Sequence, residues 1–153
     1  LLLAVMAVAL PFSVPKLFGY QIYNVLTQSM EPAMPVGSAI YVKRCDPQAL
    51  EQGEIITFRL SQATGLVETH RVVENDTQAR QLITKGDANA LPDVDPVSYE
   101  RVVGKVVICI PVLGTVSEML HSGPGVTACV AIFALAIILW TLADKTKKRE
   151  RSK

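Results

Sequence analysis

The sequence predicts a mainly β protein: a small antiparallel sheet or barrel flanked by N- and C-terminal transmembrane helices. Three observations predict it. Short runs rich in β-branched and aromatic residues recur through the middle of the chain, separated by Gly, Pro and Asp. Residues 126–143 (VTACVAIFALAIILWTLA) contain no charge, and a helix of that length spans roughly 27 Å, close to the thickness of bilayer hydrocarbon. The first ten residues, LLLAVMAVAL, are apolar as well.

Taken in order, residues 1–14 are the expected N-terminal span. Pro11 and Pro15 close the apolar run, which is short for a membrane crossing. The chain opens on leucine rather than methionine, which leaves open whether this span is complete. A cleaved signal peptide is the competing reading, but no basic stretch precedes the apolar run and no Ala-x-Ala stop is evident before residue 20. Residues 15–122 are the expected extracytoplasmic domain, long enough for one core. Strands are expected at 38–43, 53–59, 65–73, 81–84 and 101–110, the second and third joined as a hairpin. A helix is expected to begin at Leu113 and to break at Ser122-Gly-Pro-Gly125. Residues 123–143 form the expected second span, with Trp140 at an interface. A buried helix of a soluble protein is the alternative for this run, but it is apolar on every face. Residues 144–153 form a basic tail, with six Lys or Arg in the last nine positions. Such a tail beside a span argues for a cytoplasmic C-terminus and contact with anionic lipid.

The formal net charge of +1 gives no reason to expect nucleic-acid binding. Three cysteines, Cys45, Cys109 and Cys129, cannot all pair with one another. Cys129 reads as a packing residue, whereas Cys45 and Cys109 can pair if the domain is exported. No Cys and His cluster has zinc spacing, so no metal and no cofactor are expected.

Three short stretches carry chemistry. Ser29 lies in Val-Leu-Thr-Gln-Ser-Met-Glu-Pro-Ala-Met-Pro, shortly after the first apolar segment. A hydroxyl becomes a good nucleophile only when a neighbouring base takes its proton. His70, in Thr-His-Arg-Val, is one of two histidines, and imidazole suits a general base near neutral pH. On a strand, His70 shares a face with Glu68 and Val72, and that face is expected to be a polar sheet surface where the base meets Ser29. An acid should orient the imidazole. Asp87, Asp93 and Asp95, in Gly-Asp-Ala-Asn-Ala-Leu-Pro-Asp-Val-Asp-Pro, are the candidates, and spacing alone does not separate them. His121, beside Gly123-Pro124, reads as a juxtamembrane loop residue.

Together, in this order and between two apolar segments, the Ser-Met-x-Pro, His-Arg-Val and Lys-Gly-Asp stretches resemble the nucleophile, base and acid boxes of type I signal peptidases of the serine–histidine kind. That kind occurs in the endoplasmic reticulum, in archaea and in some Gram-positive bacteria. The resemblance covers most of the chain. It implies a membrane-tethered β-fold serine endopeptidase that removes signal peptides after small residues at −1 and −3. It implies that Ser29 is the nucleophile, His70 the base and Asp93 the acid, because Asp93 falls six residues after the Asp of the Lys-Gly-Asp box. Asp87 is then a supporting residue, and Asp95 remains possible because Pro92 can shift the loop. Thr27 takes the place of a serine hydroxyl that assists the oxyanion in many members, beside the backbone N–H of Ser29. No lysine stands at the His70 position, so a serine–lysine mechanism and the self-cleaving repressor proteases fit poorly. Lys85 is expected to be structural. The partners implied are signal peptides, the lipid bilayer, and translocon or accessory subunits. The setting implied is the extracytoplasmic or luminal face of a membrane, in the first instance a prokaryotic plasma membrane. A non-catalytic membrane-anchored subunit of an export complex is the alternative.

Overall fold

The computed structural model describes residues 14–61, 65–125, 127, 128, 130–132 and 134–138. The described residues form seven strands: β1 (Tyr20–Asn24), β2 (Ala39–Lys43), β3 (Ile55–Arg59), β4 (Val67–Asp76), β5 (Gln81–Lys85), β6 (Val97–Ser98) and β7 (Val102–Ile110). They form one sheet in the order β1-β2-β7-β3-β4-β5-β6, and every adjacent pair is antiparallel. The mainly β, antiparallel expectation holds, as does the β3–β4 hairpin, which sets Ile56 opposite His70 and Phe58 opposite Glu68. Two strands were not foreseen. β1 precedes the nucleophile box, and the two-residue β6 pairs with β5.

Period-two alternation distributes apolar side chains to both faces of the sheet. Ile56, Phe58, Val72, Leu82 and Val97 join Leu50 and Tyr99 in one core cluster. Ile40 and Val42 join Met30 and Met34 in the other, with Ile55, Val103 and Val106 packed against it. Neighbours in sequence such as Ile55 and Ile56 thus serve opposite cores. A sheet covered on both faces reads as continuous apolar runs rather than clean alternation. Burying each of these side chains stabilises the fold by about 1.5–3 kcal/mol before entropy is counted. Gly104 is needed where β7 passes β2: a Cβ there would lie 2.3 Å from the carbonyl oxygen of Lys43.

Helix α1 (Leu113–His121) follows β7. Its Thr115 N–H donates to Gly37 O at 3.0 Å, which ties the helix to the loop after the Ser29 turn. His121 is the last residue of α1 rather than a loop residue, since the helical run continues up to Ser122. Among the described residues no single helix is long and apolar enough to cross a membrane. Leu113–Met119 and Gly123–Ile138 reach that length and composition only as a pair bent by 79°. Of the expected N-terminal span, residues 1–13 lie outside the described residues; so do residues 139–143 of the second span and the whole basic tail. Cys45 and Cys109 are both free thiols, so the pairing considered for them is not made.

Candidate active site

The site is assembled from a turn, a strand and a loop. The turn holds Ser29. Glu31 N–H donates to Gln28 O at 3.0 Å and Met34 N–H to Met30 O at 2.8 Å. Met30 and Met34 are almost fully buried and anchor the turn in the second core. The loop after β5 then grips the turn from the other side, with Ala88 N–H donating to Ser29 O at 2.9 Å. Gly86 permits this approach, because a Cβ there would lie 2.6 Å from Ser29 O. The nucleophile box and the Lys-Gly-Asp box are thus joined backbone to backbone.

His70 lies on β4 and is 2 % exposed. The sequence reading placed it on a polar sheet surface, and the structure corrects this. Its face also carries Val72 and looks into the first core, with the Phe58 ring edge-on to the imidazole at 6.2 Å between centroids. His70 Nδ1 lies 2.6 Å from Asp93 Oδ2. With Nδ1–H donating to the carboxylate, a neutral ring presents Nε2 as its acceptor. Asp93 is fixed twice by Thr84. The Thr84 hydroxyl donates to the same Oδ2 at 2.6 Å, and Asp93 N–H donates to Thr84 O at 2.8 Å.

Asp87 has a different partner. The Arg71 guanidinium forks onto it, Nε to Oδ1 at 2.7 Å and Nη2 to Oδ2 at 2.6 Å, while Nη1 donates to Gly53 O at 2.7 Å. Donating these hydrogen bonds to Asp87 raises the Arg71 pKa above its ordinary value. Arg71 and His70 are adjacent in sequence and therefore face opposite sides of β4. Each takes one aspartate of the loop. Asp95 is exposed.

The structure does not join Ser29 to His70 by a hydrogen bond. Ser29 Oγ lies 3.3 Å from Thr27 Oγ1. His70 Nε2 is buried without a hydrogen-bond partner. Glu68 Oε1 lies 3.5 Å from it, within ion-pair reach but without hydrogen-bond geometry. Catalytic hydrogen bonds are often loose in a protein without substrate. Ser29 and Thr27 line a cavity of about 1050 Å³ whose walls include Val25, Met30, Ile40 and Leu66. A second cavity of about 750 Å³ is bounded by Phe58, Leu60 and the loop from Ala88 to Asp95. Glu68 borders both. Among the described residues no group of His, Cys, Asp and Glu could hold a metal ion.

Sequence reasoning missed Thr84 and the Arg71–Asp87 pair, and it gave Glu68 a face shared with His70 but no role. The signals were present. Thr84 immediately precedes the Lys-Gly-Asp stretch on an alternating strand, Glu68 has the same strand parity as His70, and an Arg next to His on a strand needs its own partner on the far face.

No model of a known protein family matches the chain. Individual proteins do. The chain is 44% identical over 91 residues to signal peptidase I W of Bacillus subtilis, a match covering 58% of this chain and 47% of that protein. It is 32% identical over 126 residues to the signal peptidase complex catalytic subunit of Pyricularia oryzae, covering 75% of this chain and 73% of that subunit. The corresponding subunit of Colletotrichum graminicola is 32% identical over 127 residues, with the same coverage of 75% and 73%. The chain therefore spans about half the length of the Bacillus relative and about three quarters of the fungal ones. These relatives are peptidases, and that is the class the comparisons define. The chain belongs to the type I signal peptidase family.

Proposed function

We propose that this chain is a membrane-bound serine endopeptidase that removes signal peptides from exported proteins, with Ser29 as nucleophile, His70 as base and Asp93 as the acid that orients it. The observation that carries the residue assignment is the buried His70–Asp93 pair at 2.6 Å, beside a serine turn held by the same loop. Asp93 is preferred because the Asp87 carboxylate is occupied by Arg71 and Asp95 is exposed.

In the reaction Ser29 Oγ swings from Thr27 towards His70 and attacks the scissile carbonyl carbon as its proton passes to Nε2. The developing oxyanion is met by the Ser29 N–H, with the Thr27 hydroxyl in support. Nε2 then gives the proton to the leaving amine and the C–N bond breaks. Water, deprotonated by His70, releases the signal peptide from the acyl-enzyme. Asp93 stabilises the imidazolium in both halves and is not itself protonated. The apolar cavity beside Ser29 is suited to a short stretch of small side chains before the cut. No step calls for a metal or cofactor.

The apolar segments at 1–14 and 123–143 are proposed to cross the membrane, which places residues 15–122 on its extracytoplasmic or luminal side. A prokaryotic plasma membrane is the setting proposed. The fungal relatives are named as subunits of a signal peptidase complex, and accessory subunits are proposed here by analogy.

The test is cleavage of a preprotein with an Ala-x-Ala site by the protein in detergent or lipid, beside Ser29→Ala and His70→Ala. Cleavage after the second Ala, lost by a factor of about 10³ or more in each variant, supports the assignment. Equal cleavage by all three overturns it.

A further inference from the structure

A carboxylate lies beside the imidazole of His70. His70 Nε2 must hand its proton to the leaving amine, so in the reaction that nitrogen lies at hydrogen-bond distance from Nε2. Glu68 Oε1 is 3.5 Å from the same Nε2. The Glu68 carboxylate therefore lies within a few ångströms of the first residue of the mature protein. Its side chain is 36 % exposed, against 3 % for His70, so it faces the cleft while the imidazole lies beneath it. It lines both cavities. Among the described residues no Lys or Arg is paired with it. The other charged groups of the Ser29 cavity, Lys16 and Glu118, lie on the segments before β1 and after β7. In the second cavity, Arg101 is turned onto the Phe58 ring and donates to Arg59 O at 2.8 Å, while Asp93 and Asp95 add negative charge.

We propose that Glu68 sets the charge preference of the enzyme at the residue immediately following the cut, favouring Lys or Arg there and disfavouring Asp or Glu. This rests on the assignment of His70 as the base. A cation at that position gains a partner in a half-exposed site, and an anion meets repulsion. Interactions of this kind are worth a few-fold each, so the kcat/KM for lysine over glutamate at that residue is expected to be roughly tenfold. Because the site is open to solvent, the ratio shrinks as salt rises.

The experiment uses the whole protein in lipid and four preproteins that differ only at the residue after an Ala-x-Ala site: Lys, Gln, Ser and Glu. Cleavage of the Gln and Ser substrates establishes that the peptidase reading stands, independently of charge. The expected order is Lys above Gln above Glu, with the spread falling about threefold or more in Glu68→Gln and reversing in Glu68→Lys. A wild-type enzyme that cuts Lys and Glu substrates equally overturns the proposal. So does a Glu68→Gln enzyme that keeps the wild-type ratio, or one that loses cleavage of all four substrates while remaining folded by circular dichroism. The last result would make Glu68 part of the chemistry rather than of selection.

Discussion

Thr84 is a small residue with a large demand placed on it. It is 1 % exposed, and its hydroxyl donates to the carboxylate oxygen that also receives His70 Nδ1–H. A buried polar group is retained at a cost unless it is hydrogen-bonded, and here the bond fixes which way Asp93 points. Thr84→Val keeps the shape and removes the donor. A hydrogen bond to a charged group is worth about 1.5–3 kcal/mol, so kcat is expected to fall roughly tenfold or more with KM little changed. Thr84→Ser should restore most of it. Steady-state kinetics on one preprotein checks both variants, and an unchanged kcat in Thr84→Val would mean that Asp93 is held by its backbone alone. At this scale the sequence was informative about residue types and poor about pairings. Ser29, His70 and Asp93 stand in recognisable stretches. Which aspartate meets His70 and which meets Arg71 depends on the parity of β4 and the path of the following loop, and neither can be read from spacing.

At the scale of elements, the loop between β5 and β6 organises the site. It supplies Asp87 to Arg71, Asp93 to His70 and an N–H to Ser29 O. Gly86 is its tightest point, within 2.7 Å of Asn89 Nδ2 as well as 2.6 Å of Ser29 O once a Cβ is added. Gly86→Ala must therefore displace either the loop or the serine turn. Overpacking of this kind costs about 1–3 kcal/mol of stability. The greater loss is expected in catalysis, at least tenfold in kcat/KM, because small misplacements of reacting groups are amplified in rate. Comparing kcat/KM with the thermal midpoint separates the two, and a variant that loses stability but keeps its rate would contradict this reading. The strands β2, β3, β4, β5 and β7 were legible from their β-branched runs. β1 was not, because Tyr20-Gln-Ile-Tyr-Asn24 does not alternate cleanly and all five of its residues are half-buried. β6 is too short to carry any pattern.

For the whole molecule, the network behind β3, β4 and β7 makes stability depend on pH. Lys105 on β7 pairs with Glu54, which precedes β3. The hydrogen bond from Lys105, the largest influence, holds Glu54 below its ordinary value of 4.5. A carboxylate depressed in the folded state contributes stability that is fully present above its unfolded pKa and is lost as pH falls through the folded one. The difference in urea midpoint between the wild type and Glu54→Gln should thus be present at pH 7 and shrink progressively once pH falls below the ordinary carboxyl value of 4.5. A difference that does not shrink at all in acid would show that packing, not charge, is responsible. The coarse plan of one β domain between apolar ends was visible in the composition, because hydropathy is additive along a chain. The depth of His70 was not. A single histidine on a strand looks the same whether its face meets solvent or a second layer, and only the Phe58 ring on the neighbouring strand decides which.

The backbone clasp between Ser29 and Ala88 also has a meaning in time. Chains are made from the N-terminus, so the serine turn leaves the ribosome before β2, β3, β4 and β5, and the loop that grips it comes after all four. In the proposed assignment a half-made enzyme holds a hydroxyl with no oriented imidazole near it, which is chemically an ordinary alcohol. In that assignment the site stays incomplete until the loop after β5 has been made and has closed on the turn.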